Sequence, residues 1–593
     1  MKIMVTKINK LLYSCLVGCA TSAVLLPLSS CSDFLEIKST SEIVLEDFWN
    51  EKADVDNIVA GCYSRLQSDD VMCRMIVWGE ARSENVKNGS GNNGADYDGN
   101  LENVLKENIT FKNTYTTWDG FYTVINRCNT VLKYAPGVAE SDPGYTQSEL
   151  RATCAEVSAL RDLCYFYLIR TFRDVPYSTE AYTDDNQFMT LEPMDFYDVL
   201  DKLIADLESI QDDAIGRYPE NKKEYQTGRI TKCAIWAMLC EMYLWKGDYD
   251  NCIKYADLVI EDKQALAIER RSDGTTQSNN SRTNGFPLVN NGTSGSFGTA
   301  FGQIFATGNS QETIFELVFD SDAGNTRVGN SACGRLYGRE FLSPSTCVTD
   351  DGSKESSDRV IYAERNKKVD ARIYWNINNN KNTFCKYVHR SVGIESSGTT
   401  VSTISYGSTY NYEKKNKADY YYNSSNWIVY RLSDIMLLKA EAISQKLSDG
   451  AEQADIDYNK PLLAEAFYLV NAVNKRSVCQ QTLTDTLRAT DYNTKDRMQK
   501  LVMQERQREL MYEGKRWYDL VRQCMREDNT QAVLDAMGNR DGINAQYVRN
   551  FFSGSVGKYA IFWPYYIEET KVSPPLANHQ NPAFGSGEGN ISK

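Results

Sequence analysis

The sequence predicts a mainly α-helical protein: a scaffold of tetratricopeptide-like helix pairs with long irregular loops and a few short strands. Three observations carry that prediction. Apolar and small residues recur three and four positions apart in several stretches, which lines one face of a helix. Two such stripes within 229–262 are joined only by Gly247-Asp248-Tyr249-Asp250, so the two helices must pack antiparallel. Residues 271–300 and 391–427 are dominated by Asn, Ser, Thr and Gly with interspersed Tyr, a composition of long loops.

Taken in order, the chain opens with Lys2, Lys7 and Lys10 and no acids, then an apolar run Leu11–Leu28, then Ser29-Ser30-Cys31. A basic start before a short apolar run is a secretory signal. The run is broken by Pro27 and interrupted by Ser14 and Thr21, which disfavours a membrane-spanning helix. Small residues before a Cys resemble a lipoprotein signal peptidase site, which implies cleavage before Cys31 and its acylation. Residues 42–66 read as one or two helices, 87–100 as a Gly- and Asn-rich loop, and 118–134 as a helix. In 150–172 the stripe is Leu160, Leu163, Cys164, Tyr167, Leu168 and Thr171, and Pro176 follows its end. The pair in 229–262 shows Trp236, Leu239, Cys240, Tyr243 and Leu244, then Cys252, Tyr255, Ala256, Val259 and Ile260. Its Gly-x-Tyr turn resembles a tetratricopeptide repeat. Residues 438–442 and 462–473 suggest a further pair. Short strands are expected at 313–319, 386–389 and 559–563. The organisation expected is a signal peptide at 1–30, an N-terminal helical region at 31–265, a variable loop-rich region at 266–430 and a C-terminal helical region at 431–593.

Composition narrows the function. Net charge is −14, and removing the three leader lysines leaves −17, a surface that repels phosphate backbones and excludes nucleic acid as partner. Two histidines, His389 and His579, exclude a zinc site built on several His and leave little for His-based acid–base work. Of sixteen Cys, three lie in or at the end of the leader, and the other thirteen show no CxxC pair; they read as small buried hydrophobes. A disulfide framework is not expected for so large a core. There is no P-loop, GxSxG, HExxH or EF-hand pattern. No enzyme activity, cofactor or metal site is therefore expected.

Several segments together resemble one family. They are Trp118-x-x-Phe121-Tyr122-x-x-Ile125-Asn126-Arg127-Cys128-Asn129, Glu156-Val157-x-Ala159-Leu160-Arg161, Phe172-Arg173-Asp174-Val175-Pro176-Tyr177 and Gly228-Arg229-Ile230-Thr231. Further along come Tyr430-Arg431-Leu432-Ser433-Asp434, Glu505-Arg506-x-Arg508-Glu509-Leu510, Arg516-Trp517-Tyr518-Asp519-Leu520, Trp563-Pro564 and Gln580-Asn581-Pro582. In this order, behind a lipoprotein leader, they are similar to the SusD/RagB family of Bacteroidetes outer-membrane nutrient-binding lipoproteins. Asp33 and Glu36 resemble the outward-export signals of such lipoproteins. The resemblance implies a helical lid, lipid-anchored and facing outward, over a SusC-like TonB-dependent barrel. Such a lid captures oligosaccharides or peptides and delivers them inward, mostly without catalysis.

Within that frame the ligand-binding candidates are Arg82, Asn85 and Tyr97, which follow a family-like motif at 79–85. The variable middle adds the rings Tyr337, Tyr374 and Trp375. Flat rings can stack on the apolar face of a pyranose while Asn and Arg reach its hydroxyls. Two rings at ~1 kcal/mol each with a few hydrogen bonds give binding near the ~4 kcal/mol of millimolar affinity, weak enough for hand-over. Peptide capture is the alternative ligand reading, and a protein-only adaptor a further one. A glycoside hydrolase would need a carboxylate pair; Glu505 and Glu509, four apart on a helix, are the pair available. Neighbouring Arg506 and Arg508 are expected to neutralise them instead.

Overall fold

In the computed structural model the described residues are 48–585, apart from 185–186, 188–189, 273–280, 293–295, 320–328, 349–369, 379–380, 398–399, 411–422, 480–486 and 539. The leader and the lipidation candidate Cys31 lie outside them.

Helices build the protein, as the stripes predict. Helix α1 (Lys52–Leu66) starts with a capping box in which Glu51 and Asp54 satisfy each other's backbone N–H groups. It leads into α2 (Asp69–Ile76). Helix α3 (Asp119–Ser141) packs against α1 and against α4 (Gln147–Phe172). Thr146 and Glu149 form the capping box of α4, and from Ala155 to Phe172 every residue is buried. Such a helix shows little amphipathicity because it is covered all round. It ends at Arg173, whose φ of 72° turns the chain out of the helix. Helix α5 (Phe196–Ile210) covers α4.

The antiparallel pair is α6 (Lys232–Lys246) and α7 (Tyr249–Ser272). Gly247 sits between them at φ 81°, the left-handed conformation that glycine adopts without penalty. Helices α8 (Leu432–Gln445), α9 (Gln453–Ser477) and α10 (Lys495–Leu510) stack beyond it. Met436, Ala440 and Ile443 of α8 meet Ala466, Leu469 and Val473 of α9 and Leu501 and Val502 of α10 in one apolar cluster. Helix α11 (Arg516–Glu527) follows. From Asn50 onward the described residues form one compact unit.

The strands differ from expectation. Strand β1 (Thr313–Leu317) lies where expected and pairs antiparallel with β2 (Trp427–Arg431). Residues 386–389 instead form a turn, because Tyr387 takes a φ of 62°, incompatible with an extended run. Residues 559–563 form helical turns, closed by Tyr559 N–H to the Val556 carbonyl and Phe562 N–H to the Tyr559 carbonyl. Part of the supposed loop at 391–427 is a hairpin, Val392–Ser397 against Thr400–Tyr406. Its Ser- and Thr-rich strands look like loop by composition, yet Val392 and Ile394 alternate inward as the pleat requires. In the 87–100 segment, Val86–Asn88 pairs with Leu342–Pro344 before the chain turns. All thirteen described cysteines are free thiols, twelve buried and Cys154 half-buried.

Candidate functional site

The 79–85 motif leaves α2 through a π-helical turn, Val77–Ala81. Gly79 is required there: a Cβ would lie 1.9 Å from the Gly514 carbonyl oxygen. Every residue from Gly79 to Asn85 is buried. Arg82 places Nε and Nη2 on one carboxylate oxygen of Glu107, at 3.0 and 2.7 Å. Its guanidinium lies 4.3 Å over the Trp517 ring, and it also donates to the carbonyls of Ala560 and Ile561. Asn85 donates to Glu80 at 2.8 Å and accepts from Gln507 at 2.9 Å. Glu84 accepts from Gln507 and Arg516. Burial pushes the Glu80 carboxyl up to about 7 despite the Asn85 hydrogen bond. These side chains tie the N-terminal part of the unit to its C-terminal part; none faces solvent.

Three of the ring candidates are also interior. Tyr337 donates to the Tyr512 carbonyl at 3.1 Å and packs 4.6 Å from Phe384. Trp375 lies under the Arg476 guanidinium at 5.4 Å, and Tyr374 is buried beside it in the same short helix, Arg372–Asn376. The middle of the chain spends its aromatics on a second core, so Tyr-rich composition is no guide to exposure there.

Tyr97 is different: 54% of it is exposed. The segment that carries it is held down at both ends. Gly89 and Gly91 press against the backbone of residues 339–342, too close for any Cβ. Their N–H groups donate to the carbonyls of Phe341 and Glu340. Asn92 is buried and ties to Asn88 and Asp98, and Asp98 caps the helix Gly99–Leu105 through the Leu101 N–H. The Tyr97 ring lies over Gly99, and its hydroxyl donates to Glu102. That bond to Glu102 raises the Tyr97 hydroxyl's pKa above its ordinary value. A ring fixed in this way is a platform that loses little freedom when a ligand stacks on it. Gly99 and Glu102 escape a reading of the sequence alone. The only signal was Asp98 before an apolar-periodic run, the mark of a helix start.

Glu505 and Glu509 are buried and fully paired. Arg372 donates to Glu505 at 2.6 Å and Arg508 at 2.9 Å. Arg431 donates to Glu509 at 2.6 Å, and Arg476 donates to it as well. Burial raises the Glu509 carboxyl, but Arg476, Arg431 and Arg372 outweigh it and hold the group well below the usual carboxylate range. A carboxylate so held cannot supply a proton as general acid. Arg508 pairs as expected, whereas Arg506 turns away to Asp434 and Asp519. Among the described residues no group of three or more His, Cys, Asp or Glu is placed to hold a metal ion, and no helix is long and apolar enough to cross a membrane.

Residues 263–584 match the model of the SusD family, more than half of the chain. Residues 33–244 match a model described as starch-binding associating with outer membrane. SusD-like protein P38 of Formosa agariphila is 24% identical over 564 residues, covering 93% of this chain and 95% of that protein. A SusD superfamily protein from Bacteroides thetaiotaomicron superposes with a TM-score of 0.55 at 19% identity, covering 90% of this chain and 99% of the other. NanU of B. fragilis gives 0.56 at 17% identity, covering 93% and 100%.

Proposed function

The chain belongs to the SusD family, and from that premise we propose that it captures oligosaccharides at the outer face of the cell and hands them to a SusC-like TonB-dependent barrel. Membership implies a nutrient-binding role at the outer membrane. The glycan reading rests above all on Tyr97, an exposed ring pre-set by Gly99 and Glu102. In this proposal acylated Cys31 tethers the protein, each buried CH₂ of its chains adding about 0.8 kcal/mol. Within residues 266–430 the reading of the ligand falls to residues other than the buried Tyr337, Tyr374 and Trp375, and no bond in the ligand is broken.

A soluble form lacking residues 1–31, tested on a glycan array and by calorimetry, should bind an oligosaccharide and return it unaltered. Tyr97→Ala should weaken binding about fivefold, the worth of one stacking ring at ~1 kcal/mol. Binding indifferent to Tyr97→Ala would remove that ring from the site. An array without hits, beside retention of peptides from a protein digest, would assign the same scaffold to peptides. Glycan turnover lost in Glu505→Gln would overturn the non-catalytic reading.

A further inference from the structure

Away from Tyr97, a cavity of about 460 Å³ opens between α3, the 176–182 segment and the C-terminal residues 569–576. That volume is within the usual range for small-ligand pockets. Its walls are set by hydrogen bonds. Tyr122, Asn126 and Asn129 lie on one face of α3 at helical spacing. Asn126 clamps Tyr182 by both backbone groups, at 2.8 and 2.7 Å. Asn129 donates to the Ser178 and Glu180 carbonyls, and Tyr122 to the Pro176 carbonyl at 2.7 Å. The cavity is therefore preformed.

Its lining has a definite chemistry. Trp118, Tyr122 and Tyr182 supply aromatic surface, and Val572, 78% exposed, forms an apolar lip. Glu180 and Glu569 supply carboxylates, Glu569 taking a hydrogen bond from the Trp118 side chain. Asp119 at the rim already pairs with Arg65 at 3.6 Å. Among the described residues the lining includes no lysine or arginine. Ser573 is buried, and its Oγ has no hydrogen-bond partner among the described residues. A buried hydroxyl left unpaired is destabilising, so a ligand that pairs it is favoured.

We propose that this cavity is a second saccharide site that takes one neutral sugar unit. Sugar hydroxyls both donate to the carboxylates and accept from Ser573, while the CH face of the ring lies on the aromatic surface. An ammonium offers donors only and leaves the Ser573 proton unpaired. An acidic sugar meets carboxylates without a compensating cation. The assignment rests on the glycan reading above but uses different residues.

The test uses the full chain, labelled with 5-fluorotryptophan, in a zwitterionic detergent that has no sugar headgroup. Trp118 is identified among the nine tryptophans by the signal lost in Trp118→Phe. Methyl glycosides of glucose, galactose and mannose are titrated beside methyl glucuronide and N-acetyl-lysine methylamide. At least one neutral glycoside should shift the Trp118 signal saturably, and the glucuronide should be tenfold weaker or worse. Thr123→Phe, which fills the cavity, should weaken the shift at least tenfold. Should that variant fold poorly, Ser573→Ala gives the same information with a loss of threefold or more. Tyr97→Ala should leave the shift unchanged. An unmoved Trp118 signal, a glucuronide equal to the neutral sugars, or a response to the lysine derivative alone overturns the proposal. Oligosaccharide binding that never moves Trp118 overturns it while leaving capture at Tyr97 intact.

Discussion

Glu80 shows what a single buried side chain does to this protein. Its carboxyl sits in the π-helical turn, bonded to Asn85 and near Glu84, and titrates at about 7 instead of 4.5. A folded-state pKa above the unfolded one means the folded protein holds the proton more tightly. The contribution is complete below pH 4.5 and lost as pH rises through about 7. Thermal unfolding between pH 5 and pH 8 should therefore show stability falling by up to roughly 3 kcal/mol. Glu80→Gln should flatten that slope, and an unchanged slope would mean that Glu80 does not carry it. The same motif shows what residue-level reading could reach. Arg82 and Asn85 stand out by type, but whether they face a ligand or Glu107 and Gln507 is decided by residues 25 and 422 positions away. Trp375 and Tyr337 were hidden for the same reason, whereas Tyr97 lies in a segment whose Gly and Asn content already marked a turn at the surface.

Among the elements, the helices were legible because each buries one face or all of them, and apolar spacing records that directly. Strands of two to seven residues leave too little sequence to record a period, so the hairpin at 392–406 read as loop and the helical turns at 559–563 read as strand. Two glycines on neighbouring helical elements give opposite expectations. Gly61 lies inside α1, where a Cβ would meet nothing closer than 3.7 Å, and Gly61→Ala should stabilise by about 1 kcal/mol. Gly79→Ala drives its Cβ into the Gly514 backbone, which cannot rotate away, and should cost about 3 kcal/mol or more. Urea midpoints of the two variants check both signs, and a neutral Gly79→Ala would show that the turn can open.

At the scale of the whole unit, charge in the interior joins segments far apart in the chain. Arg372, Arg431 and Arg476 reach Glu505 and Glu509 on α10 from the loop-rich middle, from β2 and from α9. Arg476 also holds Glu312 at 2.5 Å, and Lys386 holds Glu513 at 2.7 Å. Removing one charge from such a cluster strands its partners, so Glu509→Gln should cost about 3–5 kcal/mol in chemical denaturation. The wild-type group has its pKa depressed, so its contribution is present above pH 4.5 and lost as pH falls below it. Loss of the wild type's acid sensitivity in Glu509→Gln is the matching observation. A destabilisation under 1 kcal/mol would instead mean that the arginines find other partners. The middle of the chain is thus bolted to the C-terminal helices.

Among the described residues, twelve sulfhydryls sealed inside the fold, with Cys154 alone half within reach of solvent, turn the chain into its own stopwatch. Of these thirteen, an alkylating reagent added to the native protein marks Cys154 first and the other twelve only when their neighbourhoods breathe. Cys240 and Cys252, 3.7 Å apart across the α6–α7 seam, time the parting of those two helices, and Cys62, Cys164 and Cys479 time other seams. The order in which the sulfurs are tagged is the order in which the structure comes undone.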